Sequence, residues 1–232
     1  MRMRSKRPVI RRTTDASQVE RAYDAIKAGV IQGHYAPGAP LSEPVLAATC
    51  GMSRTPIREG LSRLHAEHYL DRVAGRGYFV ARVTLQAIRD TFDVRRVLEG
   101  ASAARAAEFA TEADVARLRD LAHFPITDGD YREAESANAR FHLAIATSAR
   151  NRLALELIER CLAQVDRFMS LGISFGPFQA GATEAHLGVV DAIARHDGDA
   201  ARLRMEEHLD CGSRGMEEAL LRRGQISELR VG

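Results

Sequence analysis

The sequence predicts a mainly α protein in two parts: three short helices closed by a small β-hairpin, then an antiparallel bundle of about six helices. Three observations predict it. Apolar residues recur at steps of three and four along most of the chain, the spacing of one helix face. Between Leu70 and Val83 that period gives way to two short β-branched and aromatic runs split by Ala-Gly-Arg-Gly. The charge is also divided: residues 1–83 hold 14 Lys or Arg against 7 Asp or Glu, and the remainder holds 19 against 24.

Composition narrows the class. With 232 residues, 45% of them hydrophobic and 28% charged, the chain can bury a substantial core and is not of the disordered kind. No apolar run approaches a membrane span. The basic N-terminus leads into no apolar segment, so it is not a secretory signal. Cys50, Cys161 and Cys211 are odd in number and widely spaced, which fits neither a disulfide framework nor a Cys-only zinc site. A cytoplasmic protein without a membrane partner is expected. A basic first third joined to an acidic remainder suggests a polyanion-binding module attached to something else.

Residues 1–15 read as a basic flexible tail and 16–83 as the first domain. Val19, Tyr23, Ile26 and Val30 line one face of a helix over Ala16–Gln32, with Gly33 at its stop. Pro37-Gly38 marks a turn. Ser42 is placed to cap a second helix that ends at Gly51. Ser53 to Tyr69 reads as a third: Ile57, Leu61 and Leu64 share a buried side, while Arg54, Arg58 and Ser62 share another with Arg63 near them. Thr55-Pro56 suits a helix start. Two short helices joined around a glycine, then a hairpin tipped by Gly75, Arg76 and Gly77, are the order of a winged helix-turn-helix. A helix with arginines near its N-terminus can bind phosphates and read base edges, and Arg76 could enter a minor groove. The plainer alternative is a solvated basic face.

Residues 84–222 read as the second domain and 223–232 as a tail. Helices are expected over Leu85–Ala110, Glu112–Ala122, Asp130–Ser148 (opened by an Asp130/Glu133 capping box), Arg152–Leu171, Thr183–Arg195 and Ala200–Leu221, with Phe124–Gly129 a connection and Gly172–Gly181 a loop. Leu85, Ile88 and Phe92 continue through Arg95, Glu99 and Ser102 on one face. Arg95 and Glu99 there are either an i,i+4 ion pair at a helix edge or an arginine whose fork can hold a carboxylate. His142, His186 and His208 fall on three helices beside apolar neighbours, and Asn138 precedes His142 by one turn. Neutral imidazoles from facing bundle helices suit a divalent transition metal of the zinc, nickel or manganese class; hydrogen-bonded core histidines are the alternative. No carboxylate base is placed near them by spacing. His34, His65, His68, His123 and His196 are assigned no role.

Two blocks of sequence carry a family resemblance. Tyr35-Ala-Pro-Gly-Ala-Pro-Leu-Ser-Glu, Gly51-Met-Ser-Arg-Thr-Pro-Ile-Arg-Glu and Arg76-Gly-Tyr-Phe-Val resemble the N-terminal domain of GntR-family transcription regulators. The resemblance implies DNA contacts by Ser53, Arg54, Thr55 and Arg58 and a wing tip at Gly77. Pro44 stands where an arginine is usual, Gly60 where alanine is, and His68 where glycine ends the recognition helix. Val94-Arg95-Arg96-Val97-Leu98-Glu99, Asn138-Ala-Arg-Phe-His142, Glu184-Ala-His186 and Glu207-His208-Leu209 resemble the all-helical (FCD-type) effector domain of the FadR-like branch. That resemblance implies a metal held by Asn138, His142, His186 and His208 beneath a small-acid pocket faced by Arg95. Asn138 offers a neutral carbonyl where an anionic aspartate is common, which lowers the expected metal affinity.

The expected function is therefore a homodimeric DNA-binding regulator, a repressor released from palindromic double-stranded operator DNA by a small carboxylate effector, and not an enzyme. A regulator signalled by the metal itself and a metal-dependent hydrolase are the rivals.

Overall fold

A computed structural model describes residues 13–123, 131–171 and 181–228, with side chains described over 18–123, 136–171 and 181–222. The chain divides into two compact units, Met1–Arg82 and Val83–Gly232. The basic tail over 1–12, the connection Phe124–Gly129, the Asp130 cap and loop residues 172–180 lie outside the described residues, as do residues 229–232 of the expected C-terminal tail.

The first unit runs α1 (Thr13–Ile31), β1 (Pro40–Leu41), α2 (Glu43–Cys50), α3 (Arg54–Ala66), β2 (Leu70–Val73) and β3 (Gly77–Val80). Tyr23, Ile26 and Val30 from α1 and Ile57, Leu61 and Leu64 from α3 are buried, as their spacing requires, and the two helices pack on each other. Gly60 has a structural reason. A Cβ there would lie 3.1 Å from the Tyr23 backbone nitrogen, so the glycine permits the close approach of α3 to α1. Its helix-propensity cost of up to about 1 kcal/mol is offset by that packing. Polar contacts secure the seam: the Tyr23 hydroxyl donates to Glu67 Oε2 at 2.6 Å and accepts from Lys27 Nζ at 2.8 Å.

Two details differ from the sequence reading. Helix α3 ends at Ala66 rather than reaching Tyr69. His68 takes a left-handed conformation (φ 62°), and the turn is closed by His68 N–H to His65 O at 3.0 Å and Tyr69 N–H to Leu64 O at 2.9 Å. The histidine thus performs the C-terminal role that glycine fills more cheaply. The hairpin also gains a third strand. The sheet order is β1-β3-β2, antiparallel throughout, with Leu70 opposite Val80, Arg72 opposite Tyr78 and Pro40 opposite Phe79. Two residues of β1 are too few to show an alternation in sequence.

The second unit contains α4 (Leu85–Phe109), α5 (Glu112–Ala122), α6 (Tyr131–Ser148), α7 (Arg152–Ser170), α8 (Ala182–Ala194) and α9 (Gly198–Glu228), and no strand among its described residues. Helix starts are secured by side chains: Thr84 Oγ1 accepts from Ala87 N–H, Thr111 and Asp114 form a capping box, and Asn151 accepts from Ala154 N–H. The core gathers Ile88 and Phe92 of α4, Phe141 and Ile145 of α6, Val165 and Phe168 of α7, Val189, Val190 and Ile193 of α8, and Met205 and Leu209 of α9. Helix α9 continues past the expected Leu221 to Glu228. Among the described residues, no helix is long and apolar enough to cross a membrane.

Candidate functional site

Two sets of polar side chains stand out, one in each unit. In the first unit, Ser53 precedes α3 in an extended conformation and its side chain makes no capping hydrogen bond. Ser53, Arg54, Thr55 and Arg58 are exposed, as are Arg76 on the β2–β3 connection and Gly77 at the start of β3. Gly77 has φ 92°, a conformation that favours glycine, and Arg76 N–H closes the turn on Val73 O at 3.0 Å. Arg58 is not an unpartnered cation. Its Nε and Nη2 reach Glu43 Oε2 at 3.1 and 2.9 Å, a two-pronged pair that raises the guanidinium pKa further. Glu43 begins α2, immediately before the Pro44 that stands where an arginine was expected, so α2 presents an acid to α3.

Arg63 belongs elsewhere. It lies 3.8 Å from the Tyr23 ring centre and pairs with Glu20 at 2.8 Å and Glu67 at 3.2 Å, so it joins α3 to α1 rather than to the Arg54/Arg58 side. Spacing alone could not show this, because Arg63 is adjacent in sequence to Ser62 on the outer face.

In the second unit, the apolar residues of α6, α8 and α9 bury one helix face each, and that burial turns the adjoining histidines toward one another. His186 Nε2 lies 3.1 Å from His208 Nε2, which lies 3.3 Å from His142 Nε2. His142 and His186 are buried, and His208 is partly open. Phe141 stacks on His186 with ring centres 4.0 Å apart. These three could hold a metal ion. Three nitrogens bound at about 2.0–2.1 Å to one tetrahedral zinc lie about 3.3 Å apart, close to the two spacings made by His208, and all three lie within 4.8 Å of one another. Asn138 is buried one turn before His142 on α6.

The charge states suit a cation. Burial pushes the His186 pKa far down, and His208 and His142 beside it push further; a hydrogen bond to the Ala122 backbone opposes them. His208 is lowered to about 3 by burial, then by His142 and Arg95. Both rings are therefore neutral near pH 7, as metal ligands must be.

Glu99 completes the cluster, and the sequence did not place it there. Arg95 and Glu99 are buried, 1% and 2% exposed, rather than at a helix edge. Arg95 Nε lies 2.6 Å from Glu99 Oε1, and Glu99 Oε2 lies 2.5 Å from His142 Nδ1. Burial alone would raise the Glu99 pKa, but Arg95 and His142 outweigh it and hold the carboxyl at about 2. Arg95 Nη2 is buried with no hydrogen-bond partner among the described residues. A carboxylate that spacing did not reveal thus stands beside the histidines. The acid meets His142 on Nδ1 rather than on Nε2, the atom that approaches His208, so it is not placed as a base for chemistry at the three converging nitrogens. Two of the remaining histidines meet backbone carbonyls: His65 Nδ1 lies 2.8 Å from Leu70 O and His196 Nδ1 lies 2.7 Å from Ala107 O.

A winged helix-turn-helix unit and a separate helical unit with a polar centre describe a regulator of the helix-turn-helix class, and comparison with known proteins agrees. Residues 18–80 match the family model "Bacterial regulatory proteins, gntR family", and residues 90–210 match the FCD domain. The chain belongs to the GntR family of bacterial regulators and carries an FCD C-terminal domain. It is 26% identical over 193 residues to the HTH-type transcriptional repressor RspR of Escherichia coli, covering 82% of this chain and 85% of that protein. It is 29% identical over 195 residues to the galactonate operon transcriptional repressor of the same organism, covering 74% and 85%. A crystal structure of a GntR regulator from Rhodococcus superposes with a TM-score of 0.64 at 24% identity, covering 86% of this chain and 97% of that one, a likeness of fold. Both Escherichia coli relatives are transcriptional repressors.

Proposed function

We infer that this regulator is a homodimeric repressor that leaves a palindromic operator when a small organic acid binds its helical unit together with a divalent metal. The observation that carries this reading is the convergence of His142, His186 and His208 with a buried, incompletely satisfied Arg95 in the same cluster. His142, His186 and His208 would hold the metal, with Asn138 as a fourth donor through its amide oxygen. A bound divalent ion of the zinc, nickel or manganese class would supply a Lewis-acidic partner for a carboxylate oxygen. Arg95 Nη2 would donate to the same anion, since a buried guanidinium nitrogen without a partner is costly to leave unmade.

Ser53, Arg54, Thr55 and Arg58 would contact one half-site through the N-terminal end of α3, with Arg76 and Gly77 following the adjacent groove. For Arg58 this requires exchange of Glu43 for DNA. A palindrome needs two copies of this unit, hence the dimer. The acid can release DNA only by binding the released state more tightly than the bound one. A regulator answering to the metal itself is the second reading, favoured by the same three histidines.

The test is to select operators from random duplexes with the purified chain, then to add small carboxylates, sugar acids among them, with and without Zn2+. Release that needs both an acid and the metal supports the first reading. Release by Zn2+ alone supports the second. Operator binding insensitive to every acid and metal contradicts both.

A further inference from the structure

Glu99 is a buried carboxylate to which the reading above gives no role. Its two oxygens face two groups: Oε1 accepts from Arg95 Nε at 2.6 Å, and Oε2 lies 2.5 Å from His142 Nδ1, an ion-pair contact that falls outside hydrogen-bond geometry. Arg95 is permanently cationic and buried beside it, so the carboxylate persists as an anion that can only accept. Nδ1 must then be the protonated nitrogen of His142. In the neutral ring that a metal requires, this fixes the tautomer and leaves the lone pair on Nε2, the atom that lies 3.3 Å from His208. A carboxylate on the far nitrogen also makes an imidazole a stronger ligand. On its other side, the same carboxylate occupies Nε of Arg95 and leaves Nη2 over.

Resting on the metal reading, we propose that Glu99 is the positioning residue of the histidine cluster: one carboxylate sets the tautomer and ring orientation of His142 for a divalent cation while holding Arg95 beside it. The bland alternative is that Glu99 only neutralises Arg95. That alternative predicts a loss of stability on substitution but no specific effect on metal affinity or on the His142 tautomer.

The test has two arms. Full-length wild type, Glu99→Gln and Glu99→Asp are titrated with Zn2+ against a chromophoric chelator. The metal-free wild type, labelled with 15N-histidine, is examined by NMR, with His142→Gln identifying the ring. The expected results are Zn2+ affinity about 10- to 100-fold weaker in Glu99→Gln, partial recovery in Glu99→Asp, and a His142 ring protonated on Nδ1. Glutamine keeps the shape and an acceptor but removes the charge. Equal affinity in wild type and Glu99→Gln overturns the inference and leaves the metal reading standing. No Zn2+ uptake by the wild type overturns both. Should Glu99→Gln fail to fold, the wild-type spectrum decides: a His142 ring protonated on Nε2 overturns the inference.

Discussion

Glu99 Oε2 lies 2.5 Å from His142 Nδ1, and Nε2 of the same ring lies 3.3 Å from His208 Nε2. The imidazole therefore joins a buried ion pair on α4 to the histidines of α8 and α9. The groups proposed to bind the anion and the metal are thus one packed cluster rather than two independent sites.

Replacing His186 by alanine removes one of three converging nitrogens. His186→Ala is expected to lose the stoichiometric Zn2+ that wild type takes up by elemental analysis after dialysis. Full occupancy in the variant would contradict the ligand assignment.

Arg95→Ala is expected to do more than weaken an acid. It leaves the buried Glu99 charge without its cation, and breaking a buried pair costs about 3–5 kcal/mol. Urea denaturation of the metal-free protein should show that loss. An unchanged midpoint would mean that Arg95 and Glu99 are not paired in solution.

The histidines also set an acid limit. His186 and His208 have folded pKa values depressed below the ordinary 6.5, to about 3 for His208. The unfolded chain binds protons that the folded chain refuses, so stability falls as pH drops below about 6.5. Between pH 7 and 5 each such histidine removes about 2 kcal/mol. Glu99, held at about 2, acts in the same direction, its contribution lost as pH falls from the ordinary carboxylate range through its folded value. Denaturant melts at pH 7 and 5 should show the fall, and His208→Gln should reduce it. A flat profile between those values would contradict the buried neutral state.

In the first unit, Arg58→Ala is expected to weaken selected operators by at least about tenfold relative to random duplex, measured by anisotropy at physiological salt. Equal loss on both would make Arg58 a phosphate contact only.

His68→Gly should stabilise. A non-glycine residue in the left-handed region costs about 1–2 kcal/mol, and glycine returns part of that as unfolded-state entropy, leaving a gain of about 0.5–1 kcal/mol. A lower melting temperature would show that the His68 side chain contributes to folding in a way its backbone does not reveal.

Much of this architecture was legible in the sequence because burial follows period. The α1 and α3 faces, the hairpin and the six helices of the second unit all rest on apolar spacing. The three histidines were legible for the same reason, each lying beside core residues on its own helix. What escaped was set by distance across the fold. The inward face of α4 marked Arg95 and Glu99, but nothing in α4 announces that Glu99 meets a histidine on α6. Arg63 was displaced from the expected basic face because Tyr23 and Glu20 on α1 compete for it, and Glu43 reaches Arg58 from another helix.

The central claim is that an acid and a metal, bound at this cluster, control DNA binding. It is tested most directly by anisotropy of a selected operator titrated with carboxylates, using Zn2+-loaded wild type and His186→Ala. The account predicts an acid that releases the operator from loaded wild type and not from His186→Ala. Release of both proteins by the same acid at the same concentration would contradict it.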